Sequence, residues 1–112
     1  MIYNLDDKKE AFLVAISDMH MRKILMATAK RGKSIEEISD EKQIPISTCY
    51  RRMNDLSQLG LVTTERIVLT PAGKKYEIFR SIVKEAVLKL SRGELSIELT
   101  SIEEESLPLA QV

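Results

Sequence analysis

Ser47, Thr48, Tyr50, Arg51, Arg52 and Asn54 are the residues of this chain whose types and spacing suit a definite chemistry. They lie within the stretch from Ile44 to Val62, where Ile44, Cys49, Met53, Leu56 and Leu59 recur at helical spacing and so share one face. The opposite face then carries hydroxyls, a phenol, two guanidinium groups and an amide. Such groups match the donors and acceptors of base edges and phosphates. The pattern therefore predicts a helix over 46–59 that enters the major groove of duplex DNA.

A reading helix of this kind has to be held by others. Leu5-Asp6-Asp7 opens a first helix with acids at its positive end, running to about Ile16. Its apolar residues Phe12, Leu13, Val14, Ala15 and Ile16 are almost continuous, so the helix is either covered on more than one side or, the favoured expectation, shared with a second subunit, with Phe12 and Leu13 in the contact. Asp18 caps a second helix that continues to about Lys30, with Met21, Ile24, Leu25 and Thr28 inward. Gly32 ends it. Ser34 and Glu37 have the spacing of a capping box for a short third helix that buries Ile35 and Ile38, and Gln43-Ile44-Pro45 is the turn into the reading helix.

Gly60 is a left-handed stop, after which two β-branched runs, Leu61 to Thr64 and Ile67 to Thr70, predict a hairpin over 61–70 with Glu65-Arg66 at its tip. Thr70-Pro71 then has the form of a helix start, so a long helix is expected from Pro71 to about Ser91, stopping at Gly93. Tyr76, Phe79, Val83, Ala86 and Leu90 have the alternating three- and four-residue spacing of a coiled-coil seam. A helix of about twenty residues spans roughly 30 Å, so part of it would project toward a partner copy. Beyond Gly93, Leu95, Ile97 and Leu99 alternate with polar residues as in a strand, to be paired with its own hairpin, a second subunit or another protein. Glu103, Glu104 and Glu105 open an acidic tail.

Composition sets the outer limits. A chain of 112 residues with 44% hydrophobic content supports one core and one contact surface. The division expected is 1–93 as a single domain including the dimerisation helices, and 94–112 as strand and tail. The formal net charge of zero conceals an excess of base in residues 1–92, cancelled by Glu94, Glu98 and the tail; the reading helix, the segment after it and the next helix share a positive field suited to phosphates. No apolar run is long enough to span a bilayer and no basic leader precedes a signal-like segment, so a cytoplasmic protein without membrane contact is expected. With one cysteine, Cys49, and one histidine, His20, neither a disulfide nor a metal site is expected, and no cofactor is implied. Glycine-rich phosphate loops and nucleophile–base constellations are missing from the sequence, which points away from an enzyme.

From Ile16 to Val62 the chain resembles the ArsR-type winged-helix transcription regulators. Ser17 to Leu25 is similar to the opening of their second helix, Ser34-Ile-Glu-Glu-Ile38 to their third, and Ser47 to Leu56 with Gly60-Leu-Val62 to their recognition helix and its exit. Leu69-Thr-Pro-Ala-Gly73 resembles a segment placed after the wing in several winged-helix families, the MarR type among them. The fold implied is a mainly α winged helix-turn-helix with a small β-hairpin wing, a long C-terminal helix and a further C-terminal strand. The third helix lacks the cysteine pair of the metal-sensing members, so soft-metal sensing there is not implied; Cys49 is expected to be a core thiol.

The resemblance can be carried onto single positions. Ser47 and Thr48 match the hydroxyl pair that contacts phosphates or base edges. Tyr50 and Arg51 match the outward residues of the groove, with Arg51 the first choice for a base because guanidinium pairs bidentately with guanine. Arg52 and Asn54 flank it, Arg66 matches the wing, Lys74 and Lys75 would hold phosphate, and Lys33 is a weaker candidate. The expectation is a homodimeric, sequence-specific regulator on a pseudo-palindromic duplex site, its small-molecule effector unknown. The alternative is a winged-helix interaction module that docks another protein through residues 94–102.

Overall fold

The computed structural model describes residues 5–102. Met1 to Asn4 and the acidic tail from Glu103 lie outside the described residues. Four helices come first: α1 (Leu5–Ser17), α2 (Met19–Ala27), α3 (Ile35–Lys42) and α4 (Ile46–Gln58). Four strands come next, β1 (Val62–Leu69), β2 (Lys75–Ser81), β3 (Val83–Ser91) and β4 (Glu94–Ser101), making two antiparallel hairpins, β1–β2 and β3–β4. The fold is mixed α/β, not mainly α.

The helical half forms by the local signals of the sequence. Asp18 Oδ1 accepts from the Met21 amide at 2.8 Å, and Ser34 Oγ from the Glu37 amide at 3.2 Å, so each helix start has one orphan donor satisfied. The return half of the expected capping box does not form, because the Glu37 carboxylate pairs with Arg31. Thr28 ends α2 earlier than expected: its hydroxyl donates to the Ile24 carbonyl at 2.8 Å, and its own carbonyl accepts from Ser81. Ile24, Ile38, Cys49 and Leu56 are fully buried where these helices meet, joined by Phe12, Ala15, Met53 and Leu61. Gly60, at φ 76°, closes α4: its amide reaches Ser57 and that of Leu61 reaches Leu56, the pattern of a left-handed helix stop.

After Gly60 the chain departs from expectation. Residues 61–70 are not a hairpin. β1 runs unbroken through Glu65 and Arg66 with a bulge between Thr64 and Arg66, and the chain reverses only at Thr70 to Lys74. Thr70 does accept a backbone amide, but from Lys74 at 3.0 Å, so it caps a turn, not a helix; Pro71 and Gly73, at φ 84°, fit that turn.

The long helix over Pro71–Ser91 does not form either; β2 and β3 occupy it, divided at Ile82. The segment is rich in Tyr, Phe, Ile and Val, which favour a pleated surface, and its short apolar groups, Ile78-Phe79, Ile82-Val83 and Ala86-Val87-Leu88, satisfy a helical seam and a strand equally well. The coiled-coil seam therefore dissolves. Tyr76 and Phe79, an odd number of residues apart on one strand, face opposite sides of β2. Phe79 is buried in the chain's own core, and its amide and carbonyl both pair with Lys33 at 2.9 Å, an isolated bridge that fastens the hairpin to the segment before α3. Phe12 is likewise buried within the protomer, Leu13 is half-buried, and Val83 and Ala86 pack partly against the core. Tyr76 and Leu90 are exposed.

β3 and β4 are joined by Arg92 (φ 51°) and Gly93 (φ 78°), a two-residue turn of the kind that matches strand twist, so Gly93 turns a hairpin instead of stopping a helix. The boundary expected after residue 93 falls on this turn. The strand periodicity over 94–100 is realised as β4, paired within the chain. Among the described residues no helix is long and apolar enough to cross a membrane.

Gly32 matters for packing. A Cβ there would lie 2.5 Å from Cγ2 of buried Ile78 and 2.8 Å from Glu65 Oε1. Gly32→Ala is expected to lower stability by about 1–3 kcal/mol, read by urea denaturation; an unchanged midpoint would mean β2 yields freely there.

Candidate nucleic-acid interface

α4 is two-faced. Cys49, Met53 and Leu56 are buried, while Ser47, Tyr50, Arg51 and Asn54 are exposed and Thr48 and Arg52 half-buried. What aims this face outward is the turn before it. Gln43 takes a left-handed conformation at φ 56°, Ile44 is buried, and Ser39 holds both the amide of Ile44 (3.0 Å, through its carbonyl) and its carbonyl (2.5 Å, through its hydroxyl). Pro45 then begins α4 without a side-chain cap, so the first amides of the helix remain directed at solvent beside Ser47.

The two arginines differ. Arg52 Nη1 is 2.9 Å from Asp55, which cancels part of its charge and fixes its direction along the helix. Arg51 makes only a long 3.4 Å contact with Thr48 Oγ1 and has no carboxylate partner among the described residues, so its guanidinium can extend to a ligand. Lys33 is occupied: its ammonium bonds both oxygens of Glu41 at 2.8 Å and holds that carboxyl below its usual range. Cys49 is fully buried on the inner face, and burial pushes its thiol up, away from the reactive thiolate.

The β1–β2 hairpin supplies the second group. Lys74 is exposed in its turn and Lys75 exposed at the start of β2 opposite Leu69. Arg66 is not at a tip, as the sequence implies, but mid-strand, exposed and opposite Ile78. Because cross-strand partners share a face, Arg66 lies on the Ile78 side of the hairpin, and Lys75 on the side that carries Phe79 toward the helices. Lys75 and Tyr50 are thus brought together; Arg66 is not part of that group.

Tyr50 and Lys75 line a cleft of about 390 Å³ between α3, α4 and the hairpin, together with Ser34, Glu36, Ile67 and Glu77. The helix expected over 71–91 hides this arrangement of Lys75 and Glu77; the signal that could have shown it is the turn chemistry of Thr70-Pro-Ala-Gly73, which makes the residues after it a strand. Two carboxylates against one ammonium make the cleft floor a poor phosphate cradle. The cationic positions that could meet a duplex are Arg51 on α4 and Lys74 in the hairpin turn, both outside the cleft, and the exposed Lys75 that borders it.

Compared with known proteins, the chain matches no family model, and no curated protein sequence matches it.

Proposed function

We propose that this chain is a sequence-specific DNA-binding transcription regulator of the winged helix-turn-helix kind, cytoplasmic and acting as a homodimer on a pseudo-palindromic site. One observation carries the reading: a short helix, a three-residue turn and a helix whose apolar half is buried while Ser47, Tyr50, Arg51 and Asn54 face solvent, with a basic hairpin turn after it. α4 would lie in the major groove, Arg51 reading a base edge and Ser47, Thr48 and Asn54 contacting phosphates or neighbouring bases, with Tyr50 beside them. The β1–β2 hairpin would be the wing. Its Lys74 and Lys75 serve as point charges on the phosphate backbone, while Arg66 and the Asp55-bound Arg52 serve in lesser roles. The resemblance of residues 16–62 to ArsR-type regulators supports the same reading.

An interaction module that docks another protein through residues 94–102 is less favoured, because β4 is paired with β3 along one edge and Ile97 and Leu99 of its apolar face pack within the chain.

Replacing Lys74 and Lys75 by Ala together tests the proposal. Removing one phosphate contact flattens the dependence of log K on log salt by about 0.9, so the double variant, which removes four contacts from the dimer, should lose roughly three to four units of slope, equally on all sequences. Duplex titrations by fluorescence anisotropy over a salt series would measure it. An unchanged slope removes the hairpin turn from the interface.

A further inference from the structure

The β3–β4 hairpin has one apolar and one polar face. Its register sets Ala86 opposite Leu99, Leu88 opposite Ile97 and Leu90 opposite Leu95, while Val87 and Lys89 lie with Glu98 and Ser96 on the other side. At the base this face is covered: Ile97 is buried, Ala86 and Leu99 pack on the core, and β4 touches α1. Toward the tip it is bare, with Leu88 44%, Leu95 52% and Leu90 76% exposed. Among the described residues only β4 is paired with β3, so one edge of a nine-residue strand stands open. An open edge of this length, with Val87, Leu88 and Leu90 exposed along it, can accept another strand.

We propose that the occupant of that edge is β3 of a second copy, joined antiparallel about a two-fold axis at Val87 to make a continuous sheet of four strands. The proposal rests on the dimeric DNA-binding reading and names the surface that makes the dimer. The charges select the register. A two-fold pairing that keeps both apolar faces on one side must centre on a residue of β3, and each centre sets different side chains opposite one another. Centred on Glu85 or Lys89 it opposes like charges; centred on Ala86 or Leu88 it places no opposite charges across the seam. Centred on Val87, Glu85 of each copy meets Lys89 of the other, twice by symmetry, on the polar face, and Ala86 meets Leu88 on the apolar face. Leu90 then lies over the alkyl stem of the bulged Lys84. The edge of β4 offers no such match, since its charged residues are Glu94 and Glu98.

The test is charge exchange. The chain has a mass of 12.7 kDa, and light scattering over a range of concentrations should give twice that for the wild type. Glu85→Lys and Lys89→Glu, each converting two attractive pairs to two repulsive ones, should each weaken dimerisation by about tenfold or more. The double variant E85K/K89E should return to within a few-fold of wild type. Both positions are exposed, and circular dichroism would show that the fold survives. A wild type that stays monomeric at high concentration overturns the proposal, as do single variants that dimerise like the wild type or a double variant that does not recover. Duplex binding measured in parallel separates the two readings. A dimer indifferent to these variants that still binds DNA removes this interface alone. A dimer that obeys the charge pattern but has no duplex affinity removes the DNA reading alone.

Discussion

Phe79→Ala is expected to destabilise the protomer by about 3–5 kcal/mol, the range for emptying a buried aromatic site. The residue is 8% exposed and belongs to the core cluster with Phe12, Ile24 and Leu56. It is the side chain by which β2 is held to the helices, next to a backbone that bonds Lys33 in both directions. Those paired amides resist collapse of the site, so most of the cavity should persist. Urea denaturation at concentrations low enough for a monomer would show the midpoint falling by about 1 M or more. Had Phe79 been a seam residue of a projecting helix, its removal would act on association and leave protomer stability nearly unchanged. A small change in the monomer would therefore contradict the strand assignment of 75–81.

The second large effect is on recognition. Arg51→Ala should reduce discrimination against a substituted base pair in the half-site by about 10- to 100-fold, the worth of one bidentate contact, while affinity for random duplex at low salt changes little. What holds each side chain decides the difference between the two arginines. Arg52 beside Asp55 has a local partner to return to, whereas Arg51 has only the long contact to Thr48. Arg52→Ala should accordingly act more weakly. Competition between the selected site and single-base variants would measure both, and equal effects for the two would show that α4 lies rotated in the groove, with Arg52 as close to the bases as Arg51.

The legible part of the sequence is its local part. Asp18 and Ser34 announce helix starts because a side-chain oxygen and an amide three residues on are enough to decide them. Ile24, Ile38, Cys49, Met53 and Leu56 announce the inner faces because helical periodicity is unambiguous where polar residues intervene. The outward face of α4 is legible for the same reason. From residue 61 onward pairing is decided at a distance. Whether Tyr76 and Phe79 share a helix face or straddle a strand depends on Lys33 and on β1, which no local window contains. Thr70-Pro71 fits a helix start and a turn alike, and Gly93 fits a helix stop and a hairpin turn alike; in each case the tertiary partner chooses. The hairpin half of the candidate site is obscured with them: local signals point to Lys74 and Lys75, but as a helix start.

The most direct test of DNA reading by this chain is selection of random duplex DNA by the purified protein, with the enriched pool then titrated at two salt concentrations. A dimeric reader should enrich a two-fold-related motif with half-sites about one helical turn apart, bound far more tightly than random duplex and weakened steeply by salt. A pool that shows no enrichment and no salt-dependent binding would contradict it.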